Sequence, residues 1–102
     1  RMSLLGWSKT LANEVAAQGV TVNILVPGRI ATDRVSQLDT IKAKRENSSA
    51  AAVAEKSKQG IPAGRYGNPE EYGAAAAFLA SQQASYITGN IMRVDGGMID
   101  AI

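Results

Sequence analysis

Few side chains in this 102-residue sequence can do acid–base or metal chemistry, because it contains neither cysteine nor histidine. The thiolate nucleophile, the usual proton shuttle and the commonest zinc ligands are all missing. What remains are hydroxyls, carboxylates and the main-chain groups that turns expose. The leading stretch is Val20 to Thr32, Val-Thr-Val-Asn-Ile-Leu-Val-Pro-Gly-Arg-Ile-Ala-Thr. Its apolar run ends at Pro27, which has no N–H for a ladder bond, and Gly28, which can turn where a Cβ would clash. A turn after a buried strand is where open α/β sheets bind their ligands. Three other stretches invite chemistry and are read more plainly. Gly60-Ile-Pro-Ala-Gly-Arg-Tyr-Gly67 has the glycines of a phosphate loop, but polar Glu55 to Gln59 stand where such a loop needs a strand, so a connecting loop is expected. Glu70 and Glu71 are neighbours in a helix, which point different ways, and acids suit a helix start. Asp95-Gly96-Gly97 reads as a turn.

These residues need elements to position them. Residues 1 to 18 place Leu4, Leu5, Ser8, Leu11, Ala12 and Val15 at helical spacing, with Gly19 as the stop. Trp7 on that helix is read as packing or subunit contact. Val20 to Val26 is rich in β-branched residues and uncharged, which suits a strand covered on both faces of a parallel sheet. Asp33 to Gln59 is polar, with helices expected near 35 to 45 and 48 to 59; its length favours a mobile flap over the Pro27-Gly28 turn. Asn68-Pro69-Glu70-Glu71 is a helix start with a capping Asn, Pro at the first position and Glu at the third. Tyr72, Ala75, Ala76 and Leu79 give that helix, over 69 to 81, an apolar stripe. A second strand is expected near Ile91 to Val94. Helix, strand, polar flap, helix and strand in that order make the C-terminal part of an α/β domain, binding something near Pro27 to Thr32.

The bulk composition excludes several classes. A net charge of +2, with 11 basic residues spread along the chain, is too small to imply a nucleic-acid partner. No apolar run approaches the roughly 18 residues that a membrane span needs. The chain opens on Arg1, already inside a helical pattern, and is read as the carboxy-terminal piece of a longer protein whose N-terminal half is missing.

The sequence resembles the C-terminal portion of the short-chain dehydrogenase/reductase family, most closely its 3-oxoacyl-acyl-carrier-protein reductase-like members. The residues that carry the likeness are Gly6-Trp-Ser-Lys-Thr-Leu-Ala-Asn-Glu-Val-Ala, Gly19 to Thr32, Ile61-Pro-Ala-Gly-Arg-Tyr-Gly-Asn-Pro-Glu-Glu71, Ala77-Phe-Leu-Ala-Ser, and Tyr86-Ile-Thr-Gly-Asn-Ile-Met-Arg-Val-Asp-Gly-Gly97. The resemblance implies an α/β fold, a Rossmann-like doubly wound parallel sheet, with residues 1–102 as its C-terminal portion and 33–60 as a substrate flap. It implies NAD or NADP as cofactor and hydride transfer with a carbonyl or alcohol substrate, of 3-oxoacyl type among others. Pro27 and Gly28 would line the nicotinamide pocket, the backbone of Ile30 would meet the carboxamide, and Thr32 would contact the carboxamide or the diphosphate. A close turn with free amides suits a flat, uncharged amide ring, and a small hydroxyl both donates and accepts. A small-molecule or acyl substrate, a homodimer or homotetramer and a cytoplasmic location are the further expectations, with no metal, nucleic acid or membrane.

One departure stands out. Counting back from Gly6 places Arg1 where the family's Tyr-x-x-x-Lys motif has its lysine, whose charge lowers the tyrosine's pKa and whose ammonium holds the ribose. Arginine keeps charge and donors, but its flat fork makes the exchange non-conservative. The tyrosine, its partner serine and the phosphate loop would lie upstream, so the 102 residues alone are expected to be inactive. The alternative reading is a dehydrogenase-like binding or oligomerisation module without catalysis.

Overall fold

The computed structural model describes residues 2–98. Met2–Val15 forms α1, and one turn of 3₁₀ helix, Ala16–Gln18, closes it before Gly19 enters the left-handed region at φ 79°. The seam read from the sequence is the one that turns inward: Ser8 and Ala12 are buried and Leu5, Leu11 and Val15 half-buried. Leu4 and Trp7 remain 57% and 62% exposed, so the described residues leave most of the indole bare.

Strand β1 is Ile24–Pro27 and strand β2 is Ile91–Val94, the latter where the sequence predicts it. They form a two-stranded sheet. The amide of Ile24 donates to Asn90 and that of Gly28 to Val94, both at 2.9 Å, so the partner advances in step with β1 and the ladder is parallel. The strand is shorter than the expected Val20 to Val26, because residues before Ile24 spend their polar groups on side-chain bonds. Val22 N–H donates to Thr88 Oγ1, and the Asn23 amide donates to Ile87 C=O while accepting from Asn90 N–H, each at 3.0 Å. Ile24, Leu25 and Val26 are half-buried rather than covered on both faces, since β1 has one partner strand among the described residues.

The polar stretch folds as two helices, α2 (Asp33–Arg45) and α3 (Ala50–Gln59), which pack on each other and bury Ala43 and Val53. Each starts on a hydroxyl cap: Thr32 Oγ1 accepts from Val35 N–H at 3.3 Å and Ser49 Oγ from Ala52 N–H at 3.1 Å. Helix α4 is Pro69–Leu79, with Tyr72, Ala75 and Leu79 half-buried as its stripe requires. Glu71 completes the capping box by accepting from Asn68 N–H at 2.8 Å. The chain divides into two compact units, Arg1–Val26 with Gly73–Arg93, and Pro27–Tyr72 with Val94–Ile102. The first has Ala12 and Ala84 as its most buried apolar residues; the second is centred on Ile30, Ala43, Val53 and Ile61. No helix among the described residues is long and apolar enough to cross a membrane.

Candidate functional site

The sequence points to the turn after β1, and four of its five candidate residues meet there. Pro27, Gly28, Ile30 and Thr32 line one cleft of about 420 Å³ together with Arg34, Val35, Pro69 and Tyr72. That volume lies within the range of small-molecule sites, roughly 300–1,000 Å³. Its walls are mainly apolar, and Thr32, Arg34 and Tyr72 are the lining side chains with polar groups. The fifth candidate, Arg1, lies outside the described residues.

Each wall has a local cause. Gly28 is where the chain leaves the ladder, and a Cβ there would lie 2.6 Å from Asp95 Cβ and 2.7 Å from Asp95 Cα. Real Cβ contacts of that length do not occur, so only glycine lets the turn sit against the end of β2. Ile30 is 9% exposed and forms an isolated parallel bridge with Gly67. That bridge uses Ala31 N–H, donating to Gly67 C=O at 2.8 Å, and Arg29 C=O, accepting from Gly67 N–H at 2.9 Å. In an extended segment successive residues present their polar groups to opposite edges. The N–H and C=O of Ile30 itself therefore point away from Gly67, as a donor and an acceptor side by side. Thr32 closes the cleft as the cap of α2, so its hydroxyl is fixed by the helix start rather than free to rotate.

Around this turn the loops are stitched together. Asp95 Oδ1 accepts from Gly97 N–H at 3.0 Å, and Gly96 C=O accepts from Ala63 N–H at 3.0 Å. Gly96 and Gly97 take φ of 63° and 85°, which explains two glycines after the aspartate. Asp95-Gly96-Gly97 is thus the turn that was expected, and it also props Gly28. A small recess of about 110 Å³ beside it is lined by Arg29, Arg65, Glu71 and Asp95 among others. Arg65 clamps Glu71 with two bonds, Nη1 to Oε1 at 2.8 Å and Nη2 to Oε2 at 2.9 Å. The guanidinium and the Asn68 amide hold the Glu71 carboxyl down to about 2, and Glu71 in turn raises the Arg65 guanidinium. Glu71 therefore does structural work at the helix start and is no catalytic partner of Glu70.

Sequence reasoning missed a second polar centre. Asp39, on α2, is 5% exposed and accepts from Tyr66 Oη at 2.9 Å. Burial, then the Asp39 carboxylate, pushes the Tyr66 phenol above its usual value, against smaller lowering effects of Ser57 and Arg29. Lys58 Nζ stands 5.5 Å from the ring centroid, within cation–π range. Asp39, Lys58 and Tyr66 line a cleft of about 480 Å³ with Thr32, Ser36 and Ala54. No local pattern could have found this pair, since its members are 27 positions apart and lie in a polar stretch and an apparent plain loop. Pro69 and Tyr72, which the sequence presents only as helix-start and stripe residues, also line the first cleft, as does Arg34 in the first turn that the Thr32 cap defines. Among the described residues no group of three or more His, Cys, Asp or Glu could hold a metal ion.

The geometry offers an apolar slot with a paired main-chain donor and acceptor and one oriented hydroxyl. That set fits a flat ring bearing an uncharged amide. A family model described as enoyl-(acyl carrier protein) reductase matches residues 1–99. The 3-oxoacyl-[acyl-carrier-protein] reductase of Salmonella typhimurium is 44% identical over 98 residues, 96% of this chain and 36% of that protein. Its counterpart from Escherichia coli is 43% identical over the same shares of the two chains, 96% and 36%. Among solved structures, YwfH, an NADPH-dependent reductase involved in bacilysin biosynthesis, superposes with a TM-score of 0.90 at 42% identity, over 99% of this chain and 38% of that one. L-sorbose reductase from Gluconobacter frateurii, solved with NADPH and L-sorbose, gives 0.89 at 30% identity over 99% and 39%. The chain spans 36% of the length of the curated relatives named here, and its fold is the α/β fold of these neighbours.

Proposed function

The chain belongs to the short-chain dehydrogenase/reductase family, and from that premise we propose that its residues form the nicotinamide side of an NAD(P)-dependent oxidoreductase acting on a carbonyl or alcohol substrate. One observation carries the reading: Pro27, Gly28, Ile30 and Thr32 converge on a single cleft at the carboxyl end of β1. The bound cofactor supplies or accepts the hydride. The residues of this chain bind and orient it. Gly28 keeps the wall thin, Ile30 offers its N–H and C=O to a carboxamide, and Thr32 Oγ1 meets a further oxygen or amide. The apolar walls, Pro27, Val35, Pro69 and the ring of Tyr72, exclude water, which strengthens each of those polar contacts. Residues 33–60 serve as the substrate flap, with α2 and α3 as its two rigid parts. Arg1, at the lysine position, would hold ribose hydroxyls and stabilise a tyrosinate four positions upstream. A 3-oxoacyl thioester is the first substrate to try, given the acyl-carrier-protein reductases among the relatives.

The test uses a protein of the relatives' full length that contains these residues. Titration with NADPH and NADH, followed by nicotinamide fluorescence, should give saturable binding, weakened by roughly tenfold or more in Thr32→Ala if one polar contact is lost. Oxidation of the cofactor should then require a carbonyl substrate. Absence of binding by either cofactor overturns the reading. Binding without turnover on any carbonyl would leave a dehydrogenase-like binding module instead.

A further inference from the structure

The Tyr66–Asp39 bond lies outside the cofactor cleft, yet the side chain of Tyr66 meets three parts of the second unit. The phenol, in the loop after α3, donates to Asp39 on α2 at 2.9 Å. Lys58, on α3, covers the ring at 5.5 Å from its centroid. The next residue, Gly67, makes the parallel bridge that holds Ile30. A carboxylate that is 5% exposed costs much to keep charged unless it is bonded, so the Asp39 acceptor and the Tyr66 donor depend on each other. Among the described residues, the other side-chain bonds of the loop of residues 60–67 run elsewhere: Arg65 turns to Glu71 and to the Tyr66 carbonyl.

We propose that Tyr66 is a positioning residue that latches the two-helix flap to the segment carrying Ile30, and so sets the affinity for substrate without setting that for the cofactor. The proposal rests on the reading of residues 33–60 as the substrate flap. The bond joins α2 to the loop after α3, with Lys58 of α3 over the ring, and neither of its partners is among the four residues expected at the nicotinamide. The cleft of about 480 Å³ that the pair lines also includes Thr32 and Val35, so it adjoins the cofactor slot at those two residues. The latch thereby fixes the spacing of α2 and α3 over the place where a substrate would lie next to the ring.

Tyr66→Phe and Asp39→Asn, in a protein of the relatives' full length, separate the outcomes. Amide hydrogen exchange of residues 33–59 should quicken by about tenfold in either variant, with the double variant little worse than the singles. The KM for a carbonyl substrate should rise by roughly three- to tenfold, while the dissociation constant of NADPH stays within about twofold. Exchange that is unchanged in both single variants overturns the latch. A cofactor affinity that falls along with substrate affinity, or an unchanged KM despite faster exchange, overturns its role in substrate binding. Exchange needs no cofactor, so if the unaltered protein binds neither NADPH nor NADH the oxidoreductase reading fails while the latch is still decided.

Discussion

A methyl group on Gly28 would stand 2.6 Å from Asp95 Cβ, so the turn after β1 and the residue after β2 touch with no room for a side chain between them. The contact is reinforced by Gly28 N–H donating to Val94 C=O at 2.9 Å. Gly28→Ala must push one backbone against the other, and it is expected to destabilise by about 1–3 kcal/mol, the usual cost of overpacking. Urea denaturation of the two proteins measures this. A variant as stable as the parent would mean the two turns slide apart freely.

Thr32 caps α2 as well as lining the cleft. Thr32→Ala should cost about 1 kcal/mol through the lost cap, whereas Thr32→Ser keeps the oxygen and should cost little. Comparing both variants by thermal unfolding separates the cap from any role in binding. Equal loss in the two would point to the methyl group rather than the hydroxyl.

Glu71 gives a pH signature. Its carboxyl is held at about 2, below the ordinary 4.5, by Arg65 and the Asn68 amide. A depressed carboxyl stabilises the fold above pH 4.5, and that contribution fades as pH falls toward 2. The stability difference between the parent and Glu71→Gln should therefore be constant near neutrality and shrink in acid. Arg65→Ala should return the carboxyl toward its usual value, read directly from a carbon-13 chemical-shift titration. A difference that grows in acid would contradict the sign.

The 102 residues alone are expected neither to bind NADPH at micromolar concentration nor to stay monomeric. Leu4 and Trp7 expose one side of α1 by 57% and 62%, and each strand has one neighbour among the described residues. Such faces and edges associate. Fluorescence titration and sedimentation check both points; micromolar binding or a monodisperse folded monomer would count against them.

Punctuation residues made much of this fold legible. Gly19 and the Asn68-Pro69-Glu70-Glu71 start announced helix ends because each satisfies orphan backbone groups or a special φ locally. The turn at Pro27 and Gly28 was legible for the same reason. What stayed hidden depends on distant partners. Val22 and Asn23 look like strand residues, but Thr88 and Ile87 draw their polar groups into side-chain bonds. Asp39 reads as one more polar position on a solvated helix, and only a phenol 27 positions later makes it a buried one. The glycine at 28 advertised a turn, while the reason no other residue fits there is Asp95, at the far end of the chain.

The parallel ladder has a kinetic consequence. Residues that bond across it are more than sixty positions apart, as Gly28 and Val94 show, whereas α2 and α3 are joined by only the short segment from Glu46 to Ser49. Closing a long loop costs entropy before its contacts repay it, so the helical pair should form early and the ladder late. The turn that lines the cleft is then among the last features to settle, waiting for Val94 and Asp95 to arrive. A chain ending before Val94 should keep the helical circular dichroism of α2 and α3 while the Gly28 amide exchanges freely with solvent. Protection of that amide in the shortened chain would show that the turn forms on its own.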